Sequence, residues 1–560
     1  MNAMSMISGL GMLAILGIAW ALSYHRSQVR IRTLLWGLGL QLLFAVIILK
    51  ENHWSFVAMT VLGLLLLVYL LQRDQQRLGG GWGATAGLAA AGLLIGVALC
   101  QFLSAAIVPA MAVTVVALLV NARLRFAQGA QRYLAAFLVV LAVSYLVSRG
   151  LYGQIIFKAF SEKVAAFLAL ADYGSRFLFG NLADPQYFFP GSDSFWPGFG
   201  FQFAFKVLPT IIFFGGFMGV LYHLGVMQRV IEAVARFVSW TIGTSGAETL
   251  SCSANIVVGQ TEAPLLIKPF LDDMTPSELL TIMVGGFATI AGGVLAGYIA
   301  IGIPPGHLIA ASVMSAPAAL VIGKIIYPET ERSKTAGRIE LPRIDTGGNV
   351  IEAASNGITD GLKLAINVGA MLIGFIALIA VVDVLFSWVD GLVDGRLLVW
   401  LDSVSGGLIS RLEPALGTRI EYSAGGMSPV VGEYVGLFPG SLQTLFGTVL
   451  RPLAWLMGVP WAEAGAVGNL LGIKLSLNEF VAYGTLASYI DDGVLSERGI
   501  IISTYALCGF ANFSSIGIQL GGLAAVAPGR KSELARIGLK AMLGGALASW
   551  LTATIAGMLL

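Results

Sequence analysis

The stretch SCSANIVVGQTEAPLLIKPF, residues 251–270, places Asn255, Gln260, Thr261 and Glu262 inside a long run of membrane-grade apolar sequence. A charged side chain at membrane depth costs roughly 2.5–3.5 kcal/mol on insertion scales, so the carboxylate needs a compensating role. Irregular backbone at that depth survives only where protein buries it or a wet cavity borders it. The pattern predicts a helical hairpin over about 246–271 that dips into the membrane and returns. Pro264 lacks a backbone donor and suits the start of the returning arm.

The rest of the chain agrees with a membrane setting. Of 560 residues, 57% are hydrophobic and only 11% charged, and the mean hydropathy is +0.83, far outside the range of a soluble domain. Seventy glycines suit close helix packing in lipid, where small residues let backbones approach. Lys plus Arg number 33 against 31 Asp plus Glu, a balance that offers nothing to nucleic acid. Cys100, Cys252 and Cys508 make neither a disulfide framework nor a metal-spaced set. Residues 5–23 lack a basic leader before them and a clear cleavage pattern after, and so predict a first membrane helix rather than a removed signal.

Spans of about 20 apolar residues are predicted near 5–23, 33–50, 55–71, 84–104, 106–121 and 132–148, six before any interior acid. Arg26, Arg30 and Arg32, then Arg73 and Arg77, then Arg123, Arg125 and Arg132 put alternate loops on the cytoplasmic side. The N-terminus then faces out. Residues 151–175 mix charges with an apolar stripe and predict a helix lying on the outer surface. A span near 202–222 follows, then an amphipathic inner-surface stretch, 226–240. After the hairpin come spans near 279–301 and 308–326 and a polar inner segment, 328–350, with Arg332, Lys334, Arg338 and Arg343. A span near 358–388, a Gly-rich outer region (390–440) and an apolar segment (442–457) lead to a second dipping hairpin, 461–491. Spans near 499–522 and 533–558 close the chain, with Arg530, Lys531 and Arg536 inside and the C-terminus out.

Two windows echo each other, TEAPLLIKPFLDDMTPSELLTIMVGGFATIAGG (261–293) and NEFVAYGTLASYIDDGVLSERGIIISTYALCGFANFSSIGIQLGG (478–522). Each has a polar residue before Glu, then Asp-Asp, Ser-Glu, and GFA followed by Thr289 or Asn512. By the span count the first hairpin enters from inside and the second from outside, the inverted-repeat arrangement in which sites lie near the midplane. The expected fold is an all-α polytopic membrane protein, an inverted-repeat transporter with two re-entrant helical hairpins and interrupted transmembrane helices. Two roles fit Glu262 and Glu479: capping amides of a broken helix, or facing, with Gln260, an uncharged ligand rich in hydroxyls. Asn512 and Ser515, three apart on one helix face, fit either the same ligand or interhelical hydrogen bonding. His25, His53, His223 and His307 form no grouping with Ser and Asp, so no catalytic set emerges.

GQTEAPLLIKPF, GIKLSLNEFVAY and CGFANFSSIGI together resemble the concentrative nucleoside transporters, almost continuously from about residue 150 to 560. The resemblance implies a sodium-coupled symporter, working as a homotrimer in the inner (cytoplasmic) membrane, with a moving transport domain and a fixed scaffold. It implies that Gln260, Thr261, Glu262 and Val294 serve the base of nucleosides such as uridine, cytidine or adenosine. Glu479, Asn512 and Ser515 would serve the ribose, with Phe510 lining the pocket. Sodium would be held by Asn255, Thr289 and the carbonyls of Val258 and Ile290, oxygen-only ligation that suits a hard monovalent ion. Residues 1–50 fit the family's bacterial start, and 51–148 look like an inserted block of helices. The remaining divisions are 149–245 (scaffold and interfacial helices), 246–328 (first transport repeat), 329–457 (loop, scaffold helix and outer region) and 458–560 (second repeat). Proton coupling and a nucleoside-permeable channel remain as alternatives, although TEAP lacks the Asn that usually follows the Glu in proton-coupled relatives.

Overall fold

The computed structural model describes residues 3–72, 82–102, 106–124, 130–183, 202–335, 347–407 and 438–560, and among them there is helix but no strand. Nine helices are long and apolar enough to cross a membrane among the described residues. Arg73, Arg77, Arg125, Arg338 and Arg343, and residues 408–437 of the Gly-rich region, lie outside the described residues.

The chain opens with α1 (Ala3–Ala21), α2 (Ile31–Leu49) and α3 (His53–Leu71), followed by α4 (Trp82–Phe102), α5 (Ile107–Leu124) and α6 (Ala130–Ser148). Helices α4 and α6 pack on α3 and on each other, and α5 packs on α6. Large apolar side chains such as Leu94 and Phe102 stay exposed, as lipid-facing surface requires. Two side-chain contacts help tie α3 to the rest: Gly153 N–H donates to Ser55 Oγ at 3.1 Å, and Trp240 Nε1 donates to Gln72 Oε1 at 3.1 Å.

The stretch expected as one surface helix over 151–175 is two, α7 (Gly153–Leu168) and α8 (Ala171–Phe179). Next come α9 (Phe203–His223) and the amphipathic α10 (Val226–Ile242). The latter is bounded by Gly225 and Gly243, both in the left-handed region. The first hairpin has α11 (Gly246–Ala254) as its entering arm and a 3-10 helix, Ala263–Asp273, as its return. Pro264 and Pro269 lie in that return, and each lacks the N–H that a regular α-helix needs inside it. The span expected as continuous over 279–301 is interrupted, as α12 (Pro276–Ala288) and α13 (Gly292–Ala300), before α14 (Pro305–Ile326). Helix α15 (Val350–Leu392) runs for 43 residues, longer at both ends than the expected 358–388. A short π-helical turn joins it to α16 (Val399–Val404).

Helix α17 (Leu442–Leu456) leads to the second hairpin, α18 (Trp461–Ser476) and α19 (Glu479–Asp491). The second interrupted helix is α20 (Glu497–Leu507) and α21 (Phe513–Val526), and α22 (Lys531–Leu559) ends the chain. Each repeat is therefore a hairpin, a broken helix and an unbroken one. The hairpins enter from opposite ends of the bundle. Arg530 Nη1 donates at 2.9 Å to the Asp272 and Met274 carbonyls at the base of the first. At the other end Arg498 donates to the Gly458 and Gly557 carbonyls, beside the base of the second.

The sequence echo between the repeats is offset from the structural one. Thr275 caps α12 in a capping box with Glu278, whereas Ser496, of the second Ser-Glu, is itself the cap of α20. The first GFA closes α12, while Gly509, Phe510 and Ala511 form the break between α20 and α21. The two breaks touch: Phe510 N–H donates to the Thr289 carbonyl at 3.2 Å. Gly509 has φ +140°, and a Cβ there would stand 2.7 Å from the Phe287 carbonyl oxygen.

Gly509→Ala is thus expected to cost about 2–4 kcal/mol from backbone strain and overlap together. Gly517→Ala, with nothing within 4 Å of its added carbon, is expected to be neutral. Thermal unfolding in detergent would read both, and equal midpoints would contradict the close crossing of the breaks.

Candidate functional site

The site grows from helix ends held inside the protein. Glu479 is the first residue of α19, where a carboxylate is favoured by the free amides. Asn478 before it is the cap, its Oδ1 accepting from Val481 N–H at 2.9 Å. Asn512 does the same for α21, with Oδ1 accepting from Ser515 N–H at 2.8 Å. Its Nδ2 is then turned to donate to Glu479 Oε2 at 3.2 Å. Tyr298 O–H donates to Glu479 Oε1 at 2.9 Å. Both carboxylate oxygens are thereby engaged in a buried setting, which satisfies the requirement that buried charge be hydrogen-bonded.

A second cluster adjoins the first through Ser515. Gln260 Nε2 donates to Ser515 Oγ at 3.3 Å, and its Oε1 accepts from Gln519 Nε2 at 3.1 Å. Gln519 also donates to the Met283 carbonyl at 3.2 Å. The tip of the first hairpin is thereby joined to α21 of the other repeat. Thr261 lies against Gly522 of the same helix: a Cβ there would stand 3.4 Å from the threonine methyl. Val294 is buried on α13, one turn before Tyr298, so the two share a face.

Glu262 points elsewhere. Its Oε2 accepts from Gly259 N–H at 3.1 Å, closing the tip turn, and its side chain is exposed. It borders an open cavity of about 460 Å³ between the first hairpin and helices α9 and α15, with Phe214, Tyr222, Lys268, Asn356 and Asp360 among the lining residues. The structure thus brings Glu479, Asn512, Ser515 and Gln260 into one chain of contacts and leaves Glu262 on the other side of the tip. The capping and ligand-facing roles set out for the carboxylates are combined here, since Glu262 closes its turn and still faces open space.

The expected sodium ligands also converge in part. Asn255 ends α11, buried against α12, where its Nδ2 is 3.5 Å from the position of a Cβ on Gly285. Among the described residues neither Asn255 Oδ1 nor Nδ2 has a hydrogen-bond partner. A buried amide without partners is expensive, and a small cation would give its oxygen one. The neighbouring tip carbonyls are in use: Ile256 accepts from Ser312 Oγ at 2.8 Å, and Val257 from Gly292 N–H at 2.9 Å. Thr289 Oγ1 donates to the Gly285 carbonyl at 2.9 Å, which leaves its lone pairs available. Val258, Thr289 and Ile290 are all buried. Among the described residues no three His, Cys, Asp or Glu side chains form a transition-metal set.

Tyr298, Gln519 and Lys474 escaped the sequence reading. Lys474 is fully buried in α18, with Nζ donating to the Ala506 carbonyl at 2.9 Å and to Ser549 Oγ at 2.8 Å. A lysine within GIKLSLNEF was itself a signal, because an ionisable group at that depth needs a partner. Tyr298 and Gln519 carried none, as each falls in a helical run that reads as ordinary packing.

Three matches to known families cover most of the chain. Residues 10–70 match the Na+ dependent nucleoside transporter N-terminus, 204–305 the nucleoside recognition (Gate) family, and 307–557 the Na+ dependent nucleoside transporter C-terminus. The chain is 43% identical over 404 residues to an uncharacterized transporter of Haemophilus influenzae, spanning 71% of this chain and 84% of that one. To the sodium/nucleoside cotransporter 2 of Mus musculus it is 40% identical over 418 residues, 72% of this chain and 54% of the mouse protein. Among solved structures, CNTnw in an inward-facing substrate-bound state matches with a TM-score of 0.66 at 31% identity, covering 99% of this chain and 98% of that one. CNTnw carrying two substitutions, in an outward-facing state, matches with a TM-score of 0.65 at 31% identity, covering 100% and 98%. With the paired hairpins, the crossed helix breaks and the buried polar chain between them, these likenesses place the protein: it is a multi-pass membrane transporter and belongs to the concentrative nucleoside transporter family.

Proposed function

We propose that this transporter is a sodium-driven symporter that imports nucleosides across the inner (cytoplasmic) membrane, as a homotrimer, by alternating access. The two repeats, 246–328 and 458–560, form the moving domain and the remaining helices the frame. The observation that carries this reading is the buried polar chain Tyr298–Glu479–Asn512–Ser515–Gln260, which joins the tips of both hairpins. Glu479 accepts from ribose hydroxyls, and Asn512 and Ser515 both donate and accept. Gln260, Thr261 and Val294 form the wall for the base, Glu262 joins it when the tip turns from the cavity it borders, and Phe510 lines the pocket. Sodium sits with Asn255, the Thr289 hydroxyl and the carbonyls of Val258 and Ile290, where the unpartnered Asn255 oxygen supports the assignment.

Coupling follows from how short the path between the two ligands is. Asn255 and Gln260 belong to one hairpin tip, so an ion that orders the tip also presents the amide to the base. A second path runs through backbone: Phe510 N–H donates to the Thr289 carbonyl at 3.2 Å, and Asn512 N–H to the Phe510 carbonyl at 2.9 Å. Ion and nucleoside thus favour the same arrangement of the two helix breaks, and binding of one shifts the population toward the state that binds the other. One inward sodium at about 100 mV supplies roughly 2.3 kcal/mol, and a tenfold gradient about 1.4 kcal/mol more. Together they sustain an accumulation of a few hundredfold.

Uptake of labelled uridine into proteoliposomes tests the coupling. Accumulation is expected to follow an imposed sodium gradient, the nucleoside entering unchanged; accumulation that follows only a proton gradient would overturn the sodium assignment, and equilibration without accumulation would indicate a channel. Asn255→Ala should raise the sodium needed for half-maximal uptake by about tenfold or more, as removal of one good ligand implies.

The pocket division makes a separate prediction. Glu479→Gln places an amide N–H where Tyr298 or Asn512 already donates, so kcat/KM should fall about ten- to a hundredfold for every nucleoside. Substituting Gln260 or Thr261 should instead redistribute preference among uridine, adenosine, guanosine and inosine in competition assays. A uniform loss across all bases for Gln260 would count against the division.

A further inference from the structure

Glu479 takes a donor on each carboxylate oxygen, and both donors lead back to the first helix break. Tyr298 O–H donates to Oε1 at 2.9 Å and stands on α13, which begins directly after the break at 289–291. Asn512 Nδ2 donates to Oε2 at 3.2 Å; its backbone N–H donates to the Phe510 carbonyl, and the Phe510 N–H donates in turn to the Thr289 carbonyl. Thr289 and Ile290 are the residues of that break assigned above to sodium. The carboxylate assigned to the ribose is therefore held at both oxygens from the segment assigned to the ion.

We propose that Tyr298 couples sodium to the ribose end of the pocket by carrying the position of the first helix break through α13 to Glu479. Tyr298 is a positioning residue: it touches the carboxylate and not the solute. The proposal rests on the sodium reading above, and it adds a third path to those through the hairpin tip and through the backbone contact of the two breaks.

Helix α13 is suited to that transmission at both ends. Its first turn is bonded to the hairpin tip, Gly292 N–H donating at 2.9 Å to the carbonyl of Val257, next to Val258. Gly292 to Tyr298 is one unbroken stretch of helix, about 9 Å of axis, over which a helix bends little. At the far end Tyr298 is fully buried. Its ring centroid lies 4.9 Å from that of Phe480 and 4.5 Å from that of Tyr483, both on α19 just after Glu479, and a Cβ on the neighbouring Gly297 would stand 3.0 Å from the Phe480 ring. Packing this close transmits a displacement rather than absorbing it, so a shift of α13 reaches the phenol and its hydrogen bond. A hydroxyl needed only to satisfy a buried carboxylate could come from any neighbouring helix. This one comes from the other repeat, 181 residues away, on the helix that leaves the ion site.

Calorimetric titration of purified full-length protein in detergent with uridine, without sodium and at saturating sodium, tests this. In wild type, sodium should tighten uridine binding about tenfold or more, and uridine should tighten sodium binding by the same factor. Tyr298→Phe keeps the ring and removes the donor. Sodium alone should still stabilise this variant against thermal unfolding at the wild-type sodium concentration, while the sodium-induced gain in uridine affinity falls about threefold or more. Tyr483→Phe, which loses only the O–H donated to the Thr504 carbonyl at 2.8 Å, should keep the full gain. Uridine binding weakened equally with and without sodium in Tyr298→Phe, or the same reduced gain in both variants, shows a packing role and overturns the proposal. Wild type that sodium neither stabilises nor tightens for uridine refutes the sodium reading itself. Should Tyr298→Phe fail to assemble, hydrogen exchange of the wild-type protein is decisive. Sodium without nucleoside should slow exchange along Gly292–Ala300 and at the start of α19 as well as at the hairpin tip, and protection confined to the tip overturns the proposal.

Discussion

Backbone polarity at membrane depth is the constraint on which the rest of this structure depends. Lipid offers no hydrogen bonds, so a helix that stops halfway across must find partners for its last carbonyls and for the first amides of its continuation. Two helices stop in this way, at 289–291 and 508–512, and they cross at their breaks. Phe510 N–H answers the Thr289 carbonyl, and Gly509 lets the two backbones approach because no side chain stands between them. Each break thus supplies part of what the other needs.

The polar side chains follow from the same need. Asn512 and Asn478 cap the helices that begin at depth, and the cap on α21 leaves an amide free to hold Glu479. Lys474 meets the end of α20. Gln260 reaches from the opposite hairpin to Ser515 and Gln519. A set of groups that first stabilises broken helices is thereby gathered into one buried cluster, and groups able to hold helix ends are also able to hold a hydroxyl-rich solute. Stability and the proposed recognition draw on the same residues because both require donors and acceptors in the same dry place.

Around this centre the packing is close. Gly215 of α9 and Gly357 of α15 face each other so tightly that a Cβ on Gly215 would meet the Gly357 carbonyl at 2.6 Å. Such contact gives van der Waals attraction in the absence of a hydrophobic drive between helices. The cavity bordered by Glu262 opens between the first hairpin and these same two helices, so the carboxylate faces a seam rather than the repeat interior. Tyr69 and Gln72 at the end of α3 reach Trp240 of α10, which anchors α3 to the segment leading into the first hairpin.

Much of this was legible in the residues. Apolar runs of spanning length located most of the long helices within a few residues, and acids and amides in greasy context marked both hairpins. The echo between windows pointed to a repeat, although its register was misleading: GFA closes a helix in one copy and forms the break in the other. Periodicity could not show the interruption at 289–291, because Thr289, Ile290 and Ala291 fit a helix as well as a break. It could not separate Glu262 from Gln260 either, two residues apart on a tip whose direction depends on what packs against it. By itself, then, the sequence determined the membrane setting, the span order and where acids and amides interrupt the apolar runs, since insertion cost and helix period are properties of local composition. Only the tertiary structure decided which of them meet. The partners of Glu479 are Tyr298 and Asn512, 181 and 33 residues away, and Lys474 meets a helix end 32 residues on, pairings set by where broken helices cross.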